Sequence, residues 1–183
     1  MALLDRALNL VSIEAFLDSR DTAKQKAELV GGVIHLMAGA TDRHNKISIN
    51  AVLALGPASR QLGCELFMAD MALQIGKNTI YYPDVMVVCD PSGDSNLTRT
   101  KPCLVIEVLS PSTQSIDERE KRVAYMRLAS MRDYLVVHPD DAMVDHHRRE
   151  DDETWSWTVR NRGDSCPATC LGPLAIFDLF VGV

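Results

Sequence analysis

Hydrophobic and polar residues alternate along this chain with periods that change from segment to segment. Ser12 through Leu17 has helical spacing, with Ser12 placed to cap it. Glu28 to Met37 reads as two short strands around Gly31-Gly32, a hairpin signal. From His44 to Leu62, Ile47, Ala51, Ala54, Leu55 and Ala58 recur at helical steps. Gly63 is a natural stop, and Gly56-Pro57 should bend or break this helix. Glu65 to Ile75 and Tyr81 to Cys89 read as strands flanking the turn Gly76-Lys77-Asn78, followed by a polar loop from Asp90 to Pro102.

Cys103 to Leu109 is almost continuously apolar, the pattern of a central strand buried on both faces. Pro111 ends it. Ser115 with Glu118 forms a capping-box signature for a helix running to about Ser130. Tyr134 to His138 is the next strand, and Met143 to Arg149 with Thr154 to Arg160 form an antiparallel pair around an acidic tip. Leu174 to Phe180 is apolar and must be covered, either by the chain's own core or by a second copy; the second option predicts a homodimer. This order of elements predicts an α/β protein with a mixed sheet and flanking helices.

The chain has 183 residues, a length that suits one domain spanning 1–183 with a real core. No apolar run approaches the roughly 20 residues of a membrane helix, and no signal peptide is visible, so a cytoplasmic, non-membrane protein is expected. Five scattered cysteines in such a chain read as reduced thiols. Cys166 and Cys170 with His146 and His147 fit no common zinc spacing. The net charge of −6 argues against a broadly basic nucleic-acid surface, so any such contact must use local basic patches or be small.

Glu107 is the sharpest chemical feature. A carboxylate inside Cys-Leu-Val-Ile-Glu-Val-Leu is costly unless paired, hydrogen-bonded or metal-bound. On a period of two it shares a face with Cys103, Val105 and Leu109, near the end of the strand. Two readings fit it: a protonated or salt-bridged acid, or a ligand. Asp84 opens a second apolar run after Pro83 and can reach Glu107 on a neighbouring strand. Two such carboxylates suit Mg²⁺ or Mn²⁺, hard cations that polarise a phosphoryl group and activate water. Asp117, Lys121, Ala124, Leu128 and Met131 form one helical stripe. Lys121 either points to the strand end bearing Glu107 or makes an exposed pair with Asp117.

The segments Tyr81-Tyr-Pro-Asp-Val-Met-Val-Val, Pro102-Cys-Leu-Val-Ile-Glu-Val-Leu-Ser-Pro-Ser-Thr113, then Asp117, Lys121, Tyr125 and Asp133-Tyr-Leu-Val-Val resemble the Uma-type restriction-endonuclease family, a branch of the PD-(D/E)XK nuclease superfamily. Glu28-Leu-Val-Gly-Gly-Val-Ile and His44 resemble its opening pattern, so the likeness covers roughly residues 25 to 140. It implies a restriction-endonuclease-like core, Asp84 and Glu107 as metal carboxylates, Glu28 as an accessory acid and Lys121 as the catalytic cation, acting on nucleic acid, with DNA favoured. His44 would activate water or hold phosphate, or simply cap a helix. The sequence departs from the pattern at Leu109, where the superfamily places its lysine, and at Ala129-Ser-Met131, Leu135 and His138. A nuclease fold kept as a binding module and a metal-free carboxylate-pair hydrolase are the competing readings.

Overall fold

The computed structural model describes residues 10–20, 22–37, 39–110 and 117–183, without the side chains of 117, 118 and 167–169. Its elements are α1 (Ile13–Ser19), β1 (Ala27–Val30), β2 (Val33–Leu36), α2 (Asp42–Leu62), β3 (Glu65–Met68), β4 (Ala72–Ile75), β5 (Thr79–Tyr81), β6 (Val85–Val88), β7 (Thr98–Arg99) and β8 (Leu104–Val108). They continue as α3 (Asp117–Met126), β9 (Asp133–His138), β10 (Met143–Arg149), β11 (Trp155–Asn161), β12 (Ser165–Thr169), β13 (Gly172–Ala175) and α4 (Ile176–Leu179).

A mixed six-stranded sheet runs in the order β11-β10-β9-β8-β6-β3. A five-stranded sheet, β2-β1-β5-β4-β7, and the β12-β13 hairpin complete the architecture. β8 is parallel to β9 and antiparallel to β6, so it sits centrally where the strand direction changes. Residues on both of its faces are buried, as the unbroken apolar run requires. Leu104, Ile106 and Val108 pack with Val85, Val87 and the α2 residues Ile47, Ala51 and Leu55. Val105 and Leu109 face the other way, with Met86, Tyr125 and Tyr134. Cys103 leaves the face expected for it and packs in the α2-side cluster, because it precedes the first ladder residue of β8.

Local chemistry explains the ends of these elements. Ser12 caps α1 by accepting the Ala15 N–H at 3.2 Å. Gly31 and Gly32 both have positive φ, as a two-residue primed hairpin turn requires. Thr41 caps α2, and Gly63 ends it in the left-handed conformation that glycine adopts without strain. Pro57 does not break α2, contrary to expectation. It lies on the exposed face one turn after Leu53, so water can serve the Leu53 carbonyl that loses its helical donor.

Three further expectations are corrected. The two long strands each divide and contribute to both sheets. The Glu65–Ile75 run breaks at Asp70, which has φ of 81°, and the Tyr81–Cys89 run breaks at Pro83. α3 ends at Met126 and not near Ser130, while the proposed cap at Ser115 lies outside the described residues. The cysteines are bridged: Cys64–Cys89 at 2.05 Å and Cys103–Cys170 at 2.17 Å, leaving Cys166 free and buried. The register Glu65↔Val88 brings Cys64 opposite Cys89, a proximity that scattered positions in the sequence do not reveal.

The apolar tail packs on its own chain. Leu174, Ile176, Leu179 and Phe180 are buried against α2, and Asn50 Nδ2 donates to the Leu179 and Val181 carbonyls at 3.1 and 2.9 Å. An uncovered apolar tail, one of the grounds for expecting a homodimer, is therefore not present: Leu174, Ile176, Leu179 and Phe180 are covered by the chain itself. No helix among the described residues is long and apolar enough to cross a membrane.

This packing sets a contrast within one helix. Ile47 is fully buried beneath α2, whereas Leu53 is 68% exposed. Ile47→Ala should cost about 2–5 kcal/mol in urea unfolding, and Leu53→Ala no more than about 0.5 kcal/mol. Equal losses would show that α2 does not pack on the sheet as described.

Candidate active site

The antiparallel register Val85↔Ile106 makes Asp84 and Glu107 the next opposed positions on neighbouring strands. Asp84 Oδ2 accepts the Val108 backbone N–H at 2.7 Å, which ties the end of β8 to the residue before β6. The same oxygen lies 3.1 Å from His44 Nε2. Thr41 accepts the His44 N–H and caps the helix, so the imidazole is not the cap and reaches Asp84 from the first turn of α2.

Glu28 comes from β1, in the second sheet, and is buried. Its Oε1 accepts the Tyr82 N–H at 3.2 Å and lies 2.8 Å from Lys121 Nζ. Lys121 Nζ is also 3.5 Å from Glu107 Oε1 and 5.5 Å from the Tyr81 ring centroid. The lysine thus points inward, between two glutamates and over an aromatic face. The exposed Asp117–Lys121 alternative does not describe it. Four helical positions later, Tyr125 donates its hydroxyl to Glu107 Oε1 at 2.8 Å. Leu109 is buried in the α3-side core, and the cation that its position lacks arrives from α3.

The electrostatics follow from burial. Desolvation pushes the Glu107 carboxyl up to about 7, and Asp84 and Glu28 add to this while Lys121 and the Tyr125 hydroxyl oppose it. Burial would depress Lys121, but Glu107 and Glu28 outweigh it, and the ammonium stays charged well above its ordinary range. His44 is raised above 6.5, mainly by its hydrogen bond to Asp84 and against the opposing effect of burial. Tyr125 is raised by burial and then by Glu107, so its hydroxyl remains a donor.

Residues 13–172 match the Uma2 family, described as "putative restriction endonuclease". The chain belongs to the Uma2 family. Two uncharacterized proteins of Synechocystis sp. (strain ATCC 27184 / PCC 6803 / Kazusa) are similar to it. One, sll1609, is 31% identical over 155 residues, covering 81% of this chain and 86% of that protein. The other, slr1290, is 34% identical over 148 residues, covering 79% and 77%. A crystal structure from Anabaena variabilis ATCC 29413, titled a putative nuclease belonging to DUF820, has a TM-score of 0.70 with 19% identity, over 90% of this chain and 97% of that one. That likeness establishes a shared restriction-endonuclease-like fold.

In this Uma2 chain the donor chemistry suits a hard cation, since the carboxylates offer oxygen and no soft ligand is among them. Among the described residues, the His, Cys, Asp and Glu donors that come within 4.8 Å of one another in threes are cysteines, not these acids. Asp84 and Glu107, opposed across the two strands, are the carboxylates that could hold such an ion. Tyr125 belongs to the family pattern in the sequence without a role attached to it, and the Tyr82 N–H leaves no trace there. Lys121 and Tyr125 four apart on one helix face was the available signal for the first.

The raised Glu107 means that the folded protein keeps a proton which the unfolded chain loses at 4.5. The stability linked to it is complete below 4.5 and is lost as pH rises through about 7. His44 acts in the same direction, from 6.5 upward. Metal-free protein should therefore show a falling Tm as pH is raised across this window, and Glu107→Gln should flatten most of the fall. A wild-type Tm that is level or rising there would contradict the assignment.

Proposed function

We propose that this Uma2 protein is a metal-dependent endonuclease that hydrolyses phosphodiester bonds, with DNA as the substrate. The observation that carries the reading is the buried ammonium of Lys121 set between Glu28 and Glu107, at the strand end where Asp84 opposes Glu107. A cluster with three acids, one lysine and burial on every side is expensive for stability alone. It suits a reaction in which charge builds on a phosphate.

Asp84 and Glu107 would hold Mg²⁺ or Mn²⁺. The ion, when bound, supplies Lewis-acid polarisation of the phosphoryl oxygen and lowers the pKa of bound water. The chain's own residues do the rest. Tyr125 holds Glu107 in one rotamer through Oε1. The Val108 N–H and His44 orient Asp84 through Oδ2. Lys121 remains charged and so stabilises the attacking oxygen and the phosphate as negative charge develops, without acting as a base. Glu28 is the acid within reach of the same ammonium and would take the proton released by the attacking water.

A cavity of about 830 Å³ beside α3 is lined by Tyr81, the β1–β2 turn, and two arginines against one acid, Arg119 and Arg127 with Glu120. It offers the local basic surface that a net charge of −6 otherwise denies to a phosphate backbone. Neither this cavity nor another, about 630 Å³ between α1 and β2, is lined by Glu28, Asp84, Glu107 or Lys121; the first is preferred because it is lined by Tyr81, whose ring centroid lies 5.5 Å from Lys121 Nζ. Pairing of two copies would suit cutting of both strands.

Purified Asp84→Asn and Glu107→Gln should each abolish Mg²⁺-dependent nicking of plasmid DNA while keeping the far-UV circular dichroism of the wild type. Undiminished cleavage by either variant would remove the proposal. Lys121→Ala should lower turnover by about 10²–10³-fold with Mg²⁺ affinity little changed; a loss confined to metal binding would reassign the lysine to holding the acids in place. Wild-type protein that binds DNA but cuts none with either cation would favour the binding-module reading.

A further inference from the structure

Asp84 and Cys89 stand at opposite ends of the strand β6, and Glu107 and Cys103 stand towards opposite ends of β8. The two strands are antiparallel, so the cysteines gather at one end of the pair and the carboxylates at the other. Cys64, immediately before β3, and Cys170, in the turn between β12 and β13, join the first group. Two disulfides drawing on four separate segments therefore lie side by side at the far end of the β6–β8 pair from the candidate active site.

They meet closely. Cys89 Sγ lies 3.6 Å from Cys103 Sγ, across the two bridges. The sulfurs of Cys89, Cys103 and Cys170 all lie within 4.8 Å of one another, and Cys64 Sγ is bonded to Cys89 Sγ. Two bridges serving only as staples have no need to touch. Four thiolates around one tetrahedral Zn²⁺, with Zn–S of about 2.3 Å, have sulfurs about 3.8 Å apart. One distance between the bridges, Cys89 Sγ to Cys103 Sγ at 3.6 Å, is already close to that figure, and Cys64, outside the group of three, would have to turn in once its bond to Cys89 is broken.

We propose that the four cysteines Cys64, Cys89, Cys103 and Cys170 form a redox-gated thiolate site for Zn²⁺, the two disulfides being its metal-free oxidised state. Each bridge takes two electrons and two protons from a dithiol, which is itself oxidised to a disulfide. The four thiols then release their protons as their sulfurs ligate the cation. Oxidation by a disulfide of the same class reverses the sequence and expels the metal. Cys89 is exposed and Cys103 is buried, so reduction starts at the Cys64–Cys89 bridge. The cation would join β3, β6, β8 and the β12–β13 hairpin, the same four segments that the bridges join in pairs. Cys166 is buried away from the group, and His146 is engaged with Asp133 at 2.7 Å, so neither is a ligand.

The test uses the full chain carrying Asp84→Asn, which removes one acid of the carboxylate pair as a competing site. The protein is reduced with a phosphine, stripped with a chelator under anaerobic conditions and titrated with Co²⁺. Expected are sulfur-to-cobalt charge-transfer absorption and strong visible bands of a tetrahedral centre, saturating at one equivalent and removed by Zn²⁺. Introducing Cys89→Ser or Cys170→Ser should abolish the charge-transfer band; Cys166→Ser should leave it intact. Circular dichroism of each variant shows whether it is folded, and Cys89, being exposed, is the variant least able to disturb the core. Absence of the band in the reduced parent chain, or its persistence in folded Cys89→Ser, would overturn the proposal.

Discussion

An ammonium placed between two buried carboxylates links parts of the chain that nothing else would bring together. Glu28 lies on the five-stranded sheet, Glu107 on the six-stranded sheet and Lys121 on α3. None of the three charges is tolerable there alone, because an isolated ion in such surroundings costs several kcal/mol or neutralises itself. Burial pushes the Glu107 carboxyl up to about 7 although a lysine stands beside it. The site thus holds three carboxylates, Glu28, Asp84 and Glu107, around one lysine.

The apolar scaffold fixes where those charges can be. Central β8 uses one face to pack on α2 and the other to pack on Tyr125 and Tyr134. Glu107 falls on the second face, among aromatic rings. Tyr125 sits edge-on to Tyr81 and Tyr134 at 5.6 and 5.3 Å, so its hydroxyl is held where it meets Glu107. The departures at Leu135 and His138 leave this arrangement intact: Leu135 is buried with the α2-side core, and His138 pairs with Asp145 at 2.9 Å.

Much of this was legible in the chain because it depends on local period. The unbroken apolar run around Glu107, the hairpin at Gly31-Gly32 and the helix beginning near His44 follow from side-chain alternation and turn chemistry. Glu107 and Asp84 stand out in the sequence by burial and spacing, while the roles of Glu28 and Lys121 are legible through the family resemblance. What escaped was set by pairing between distant segments. The division of two long strands between two sheets turns on Asp70 and Pro83, where the backbone changes direction inside apolar runs. The cysteine bridges depend on strand register, and the fate of the C-terminal tail depends on whether α2 leaves room for Phe180. Tyr125 was visible as a residue but not as a donor, since its role exists only once α3 is laid against β8.

The hydrogen bond from the Val108 N–H to Asp84 has a consequence for the order of events in folding. It joins the backbone of one strand to the side chain at the start of its neighbour. Side chains alternate between faces, so a slip of one residue between β6 and β8 would send Glu107 and Asp84 to opposite sides of the sheet. The carboxylate pair is consequently a late property of the chain. It comes into being only with correct strand pairing, and a partly folded or mispaired chain holds its two carboxylates apart. Whatever the pair does is therefore switched on by completion of the central sheet and by no single segment of the chain.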